Sequence, residues 1–406
     1  MSVGGEARIV AVRGTRDWSP ADYAQLRDLE HRLLSAFARD GFAPMRTPVI
    51  EPTELHERKS GAGIVSKLFE LAGGASGPSG LCLRPELTAG VVRAFVDLDP
   101  SPALPWRVAV AGPVFRYERE PDGRRLREFT QVGVELLGGG GPEADAEVIA
   151  LAIKALGDEG IGDATLRLGH VGLILERLGR WGLPPASRAA LVEMLSEAAA
   201  EGRDVRALDE ALDRLAGWLQ AGEPAEDVLP AVVAADDRGV DRLFRHLVPD
   251  VTGRRTGHEI VGRLRRKWDL GHTLPDLLGR LRDQLGELAA LRGPAAQVLD
   301  RLGDDGGAVA AQLGELVGRL ERLGVDPDRV EIDLGFGRGI GFYSQMIFEI
   351  LVPVGDGGPA VEVGGGGRYD GLASVLGGRG DDRGVGFALG LERLLGAMDS
   401  RGAKRR

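Results

Sequence analysis

Cysteine is all but missing from this chain: Cys82 is the single one in 406 residues. No intramolecular disulfide framework can therefore hold the fold, and the composition fits a reducing cytoplasm. Cys82 itself reads as a small core residue. The six histidines are scattered, no His/Cys/Asp cluster has metal-ligand spacing, and no metal site is expected from the protein itself. No apolar run approaches a membrane span, and the opening "MSVGGEARIVAVRG" lacks the apolar core of a signal peptide, so a soluble cytoplasmic protein with no membrane contact is expected. Positive charge is in the minority, with 51 Lys and Arg against 61 Asp and Glu and a net charge of −10. The chain as a whole is thus no electrostatic match for nucleic acid, although an acidic protein can carry a local basic groove. The final "RGAKRR" forms a basic tail, read as a solvated terminus. The glycine run at 364–367 is followed by no Gly-Lys-Ser/Thr, which excludes a Walker-type loop. Its expected role is to let the sheet backbone approach a ligand closely.

What is present is an ordinary globular composition, 43% hydrophobic and 28% charged, long enough for two or three domains. Residues 1–168 mix helix and strand. "SPADYAQLRDLEHRLLSAFARDGF" offers Ser19 as N-cap, Pro20 at the first helical position, apolar residues at helical spacing and Gly41 as the stop. Residues 169–326 carry Leu and Ala at helical intervals with almost no strand signal, as in "DVRALDEALDRLAGWLQAG", and read as a large helical insert. Residues 327–406 return to strands, "RVEIDLG", "YSQMIFEILVPV" and "AVEVGGGGRYDGL" among them. A sheet interrupted by helices and then completed, without regular βαβ crossovers, predicts an α+β fold around an antiparallel sheet.

The stretch "GPVFRYEREPDGRRLREFTQVGVELLG", 112–138, alternates charge with apolar residues on both sides of a basic loop. Strand geometry puts Phe129, Gln131, Gly133 and Glu135 on one face and Thr130, Val132, Val134 and Leu136 on the other. An exposed hairpin would give similar alternation. Gly133 favours a site instead, because a glycine inside a strand weakens it unless something must approach its backbone. Arg116 and a loop arginine have the geometry to hold phosphate oxygens, and Gln131 and Glu135 to accept from a cationic group such as an ammonium or imidazole.

This stretch resembles motif 2 of class II aminoacyl-tRNA synthetases, closest to histidyl-tRNA synthetase and its paralogue, the regulatory subunit of ATP phosphoribosyltransferase. "VRGTRDWSP" (12–20) and "FAPMRTPVIEP" (42–52) resemble the family's N-terminus and motif 1, a dimer-interface element. "LRPELTAGVVRAF" (83–95) resembles its amino-acid-binding strand, "GRGIGFYSQMIFE" (337–349) its histidine-specific segment, "GGGGRYDGL" (364–372) its glycine-rich strand and turn, and "GFALGLERLL" (386–395) motif 3. The resemblance implies a class II synthetase-like antiparallel sheet flanked by helices. It implies that Arg116 meets the α-phosphate of ATP, Glu118 the adenine or metal side, Arg124 or Arg125 the loop arginine's place, and Arg393 the γ-phosphate. Glu86, Thr88, Gln131 and Glu135 match residues around the substrate's amine and ring, and Tyr343 the hydroxyl near the imidazole. Arg338 matches the arginine that stabilises carboxylate and α-phosphate during adenylation. Such a reaction needs positioning and charge neutralisation rather than a side-chain nucleophile.

The chain departs from the family's pattern at the histidine-specific segment. Arg338-Gly339-Ile340-Gly341-Phe342-Tyr343 stands where Arg-Gly-Leu-Asp-Tyr-Tyr is usual, so an aspartate and one tyrosine hydroxyl are replaced. No anticodon-binding domain is expected after motif 3, and the helical insert is longer than the family's pattern suggests. Two functions follow from the resemblance. One is a regulatory subunit that binds histidine and partners a short-form ATP phosphoribosyltransferase, with no tightly bound cofactor. The other is an enzyme activating histidine or a related amino acid with ATP and Mg2+, with or without transfer to tRNA. A homodimer or higher oligomer is expected in either case.

Overall fold

The computed structural model of the protein describes residues 9–60, 67–73, 78–118, 121, 125–173, 283, 286–288, 290–303, 307–335, 343–354 and 360–402. The chain divides into two compact units, Met1–Glu176 with Leu291–Arg406, and Arg177–Ala290. Nearly all of the second unit lies outside the described residues, so the architecture below is that of the first.

Helix α1 (Pro20–Arg39) starts where its local chemistry says it should. The Ser19 hydroxyl accepts from the Asp22 backbone N–H at 3.2 Å and Pro20 takes the first turn. Leu26, Leu29, Leu33, Ala36 and Phe37 recur at spacings of three and four and form the buried stripe. The helix ends at Asp40, followed by Gly41 at φ +88°, a conformation glycine adopts without strain.

The elements that follow, in chain order, are β1 (Ala43–Met45), β2 (Ile50–Pro52), α2 (Thr53–Ser60), β3 (Phe69–Ala72), β4 (Pro78–Leu83), α3 (Thr88–Asp97), β5 (Trp106–Phe115), β6 (Glu128–Leu137), α4 (Gly141–Asp158) and β7 (Thr165–His170). After residue 290 come β8 (Arg292–Pro294), α5 (Ala295–Leu302), α6 (Gly307–Arg322), β9 (Val330–Asp333), β10 (Met346–Pro353), β11 (Ala360–Arg368), α7 (Leu372–Val375), β12 (Gly384–Gly390) and α8 (Leu391–Gly402). Among the described residues no helix is long and apolar enough to cross a membrane.

Nine strands form one sheet in the order β1-β5-β6-β12-β11-β10-β7-β9-β8, and β2-β4-β3 form a small second sheet. The β1–β5 and β7–β9 pairs are parallel, and the other pairs are antiparallel. The expected α+β fold with an antiparallel sheet is what the chain adopts. Helices α1, α4 and α8 pack on the back of the sheet centre, where Phe37 meets Phe387 edge to face at 5.5 Å. On the front, α3 buries Leu87, Val91, Val92 and Phe95 against Val108, Val110 and Leu137.

The exposed-hairpin alternative for 112–138 is excluded. Strand β6 lies between β5 and β12 inside the sheet, with Val132, Val134, Leu136 and Glu135 all buried. A second difference concerns the insert. Residues 291–326, grouped by sequence with the helical segment 169–326, pack within the first unit: β8 pairs with β9, and α6 turns Val309, Leu313, Leu316 and Leu320 inward and packs on α4. Helical periodicity shows that a face is apolar, not which body covers it.

Candidate functional site

Glycines at the centre of the sheet make the site possible. Strand β12 reads "GVGFALG", and its first and third residues face the front. The Tyr369 ring lies where a side chain on Gly384 would go, and a Cβ on Gly386 would fall 1.8 Å from Glu135 Oε2. Gly133 has a different reason from the one the alternation suggested: a Cβ there would sit 1.9 Å from the Phe387 carbonyl oxygen, so what approaches it is the neighbouring strand. The 364–367 run behaves likewise, with Gly366 against the Gly386 carbonyl and Gly367 under the Tyr343 ring.

Glu135 fills the space over Gly386. Its Oε1 accepts from the Thr88 hydroxyl at 2.6 Å and its Oε2 from the Tyr369 hydroxyl at 2.5 Å. It is only 2% exposed, and such charge-assisted bonds are the short, strong kind. Burial, reinforced by the Glu135 charge, holds the Tyr369 hydroxyl well above its ordinary pKa, so Tyr369 stays a donor. Glu86 is engaged locally: its two oxygens accept from the backbone N–H groups of Thr88 at 2.6 Å and Ala89 at 3.0 Å, at the start of α3. Arg84 gives its guanidinium to the carbonyls of Thr47, Pro48 and Pro113. Arg84 and Glu86 are thus held by two separate sets of bonds to backbone.

Beside this network a cleft of about 430 Å³ opens along the sheet front, with Arg116, Glu118, Phe129, Gln131 and Arg393 on its walls. Arg116, just past the end of β5, donates from Nε to the Pro85 carbonyl at 3.0 Å, and its guanidinium lies 5.1 Å from the Phe129 ring centroid. Arg393, in the first turn of α8, donates to the Glu362 carbonyl at 3.1 Å and its carboxylate at 3.2 Å. Glu392 accepts from the Thr130 backbone N–H with both oxygens, at 2.8 and 2.9 Å, which ties α8 to β6. Burial pushes the Glu392 carboxyl up from its ordinary value. Gln131 lines the cleft, and its Oε1 is buried and accepts no hydrogen bond among the described residues, a buried acceptor left to be satisfied.

The structure thus brings Arg116, Glu118, Gln131 and Arg393 onto one cleft, and joins Glu86, Thr88 and Glu135 by hydrogen bonds. Tyr343 stacks on Gly367, close enough to raise the Tyr369 pKa. Gln131 and Glu135 sit four residues apart on β6, about 13 Å at strand rise. A ligand touching both must lie along the strand. Arg124 and Arg338, with Gly341 and Phe342, lie outside the described residues. Sequence reasoning missed three participants. Tyr369 stood inside the glycine-rich motif without a role, Phe129 was only a strand-face residue, and Arg16, which also lines the cleft, carries no local signal.

Comparison with known proteins identifies the family. The family model described as histidyl-tRNA synthetase matches residues 14–247 and 239–394. A histidine--tRNA ligase from Geobacillus kaustophilus is 34% identical over 399 residues, 97% of this chain and 74% of the relative. An ATP phosphoribosyltransferase regulatory subunit from Moorella thermoacetica is 33% identical over 382 residues, 94% of this chain and 80% of the relative. The crystal structure of an ATP phosphoribosyltransferase regulatory subunit/histidyl-tRNA synthetase from Bacillus halodurans superposes with a TM-score of 0.65 over 97% of this chain and 84% of that one; at 22% identity this is a likeness of fold. The chain belongs to the histidyl-tRNA synthetase family.

Proposed function

We propose that the protein binds histidine in its synthetase-like site and serves as a regulatory subunit of a short-form ATP phosphoribosyltransferase. The observation that carries the proposal is the amino-acid end of the site. Glu135 is a buried carboxylate already oriented by Thr88 and Tyr369, and Gln131 adds a buried acceptor with open lone pairs on the same strand face. Two acceptors along one strand suit a ligand with separated cationic donors, an ammonium at one end and an imidazole at the other. Binding alone suffices for regulation. The regulatory-subunit relative supports the same direction.

A second reading rests on the cleft's arginines. Arg116 and Arg393 both line the cleft, where cations would neutralise a triphosphate, and the ligase relatives support this reading. In that reading ATP enters with Mg2+, Arg116 and Arg393 neutralise the triphosphate, and the amino-acid carboxylate attacks the α-phosphorus with pyrophosphate leaving. Mixing the purified protein with the short-form ATP phosphoribosyltransferase of the same organism separates the two. The regulatory role predicts a complex on gel filtration and a raised transferase rate that histidine modulates. No complex and no rate change, together with histidine-dependent pyrophosphate exchange, would establish amino-acid adenylation instead.

A homodimer is proposed on motif 1 and the small sheet. Ile50 and Leu81 are exposed on paired strands β2 and β4, apolar surface suited to an isologous contact. Light scattering at micromolar concentration is expected to give twice the chain mass or more; a stable, folded monomer would refute it.

A further inference from the structure

We propose that Arg16 is a further phosphate-binding residue of the cleft, delivered to it by the N-terminal segment and resting on the nucleotide-binding character of that cleft. Three observations converge. First, the segment is fastened to the base of the hairpin that carries Arg116 and Arg125. The Gly14 carbonyl accepts from the Arg127 backbone N–H at 2.7 Å, and the Thr15 hydroxyl and N–H close a turn onto the Val12 carbonyl at 2.7 and 2.9 Å. Gly14 has φ +86°, and a Cβ there would come within 2.7 Å of Pro121 and 2.9 Å of Arg127, so only glycine permits this docking. Second, the Arg16 guanidinium lies 3.5 Å from the centroid of the Trp18 ring. Stacking occupies the face of the guanidinium and leaves its in-plane N–H donors to point elsewhere.

Third, Arg16 lines the cleft yet makes no hydrogen bond or ion pair among the described residues. The adjacent carboxylates have their hydrogen bonds elsewhere: Glu392 receives the Thr130 N–H and feels the Arg16 charge only through space, and Glu362 pairs with Arg393. The cleft wall carries the guanidinium groups of Arg16, Arg116, Arg125 and Arg393 against the carboxylates of Glu118, Glu362 and Glu392. A held guanidinium with open donors, on a wall with an excess of positive charge, fits a multiply charged phosphate chain. It does not fit a neutral nucleoside, which offers no anion to Arg16.

Calorimetric titration of ATP with Mg2+, and separately of adenosine, into the wild type, Arg16→Gln and Arg16→Lys tests this. Arg16→Gln is expected to weaken ATP binding at least tenfold while adenosine binds as before. Arg16→Lys is expected to recover part of the loss, because it keeps the charge without the planar fork. Unchanged ATP affinity in Arg16→Gln overturns the assignment and leaves the cleft's nucleotide reading intact. Equal losses for ATP and adenosine also overturn it, making Arg16 a support for the cleft wall. A wild type that binds neither ligand overturns both this assignment and the nucleotide reading.

Discussion

Arg368→Met is expected to destabilise the protein by about 3–5 kcal/mol at pH 8, the range for removing one partner of a buried ion pair. Arg368 closes the end of β11 and is only 1% exposed. Its guanidinium donates to the carbonyls of Gly139 and Gly141 at 3.0 and 3.2 Å, to Asp370 at 3.1 Å and to Asp145 at 2.5 Å. Asp145 lies in α4, and burial lifts its carboxyl to about 6 even with Arg368 beside it. Without the guanidinium that carboxyl rises further. A carboxyl whose folded pKa lies above its unfolded one contributes stability that is complete at low pH and lost as pH climbs through the folded value. The loss in Arg368→Met is therefore smaller at pH 5 than at pH 8, as read by urea denaturation at both. Adding Asp145→Leu to Arg368→Met is expected to recover much of the loss, since it removes the deeply buried carboxylate, while Asp370 is partly exposed and keeps the Gly384 N–H. Equal destabilisation at both pH values, with no recovery in the double variant, would show that Arg368 acts through packing alone.

Glu135→Gln is expected to lower histidine affinity at least tenfold, about 1.4 kcal/mol, and also to cost stability. An isosteric amide on an exposed hairpin would have left folding alone. Here both carboxylate oxygens receive hydroxyl donors, and an amide nitrogen in one of those places forces Thr88 or Tyr369 to stop donating. Breaking a charge-assisted bond in a buried network costs roughly 1–3 kcal/mol. Tyr369→Phe separates the two effects: it leaves the Glu135 charge in place, so affinity should fall less than in Glu135→Gln while stability falls comparably. Calorimetry with histidine and thermal denaturation of both variants check this. Histidine affinity unaltered by Glu135→Gln would move the amino-acid site elsewhere.

Much of the frame was legible because its causes are local. Ser19, Pro20 and Gly41 bracket α1 through capping, ring geometry and positive φ, all set within a few residues. The two-residue alternation of "EFTQVGVELL" sorted its faces correctly, since strand pleat fixes it. What stayed hidden depends on distant partners. Gly133 and Gly366 signalled close approach, but sequence offers no means to tell a ligand from a neighbouring strand's carbonyl. Tyr369 meets Glu135 across 234 positions of chain, and no periodicity links them. The apolar stripe of α6 was visible while its partner, α4, was not. Arg16 owes its place to a glycine turn docked on another segment, which composition does not encode.

The position of β12 has a consequence for the newly made chain. Strand β6 is complete by residue 137, but its inner edge pairs only with residues 384–390, and the Thr130–Glu392 tie closes over 262 positions. During synthesis, at about 5–20 residues per second, that edge waits roughly ten seconds or more for its partner strand. In that interval an apolar strand with unpaired backbone groups is available to any other chain, including a second nascent copy. The central sheet therefore cannot close before the strand that also completes the ligand site, and ligand competence arrives together with protection from aggregation.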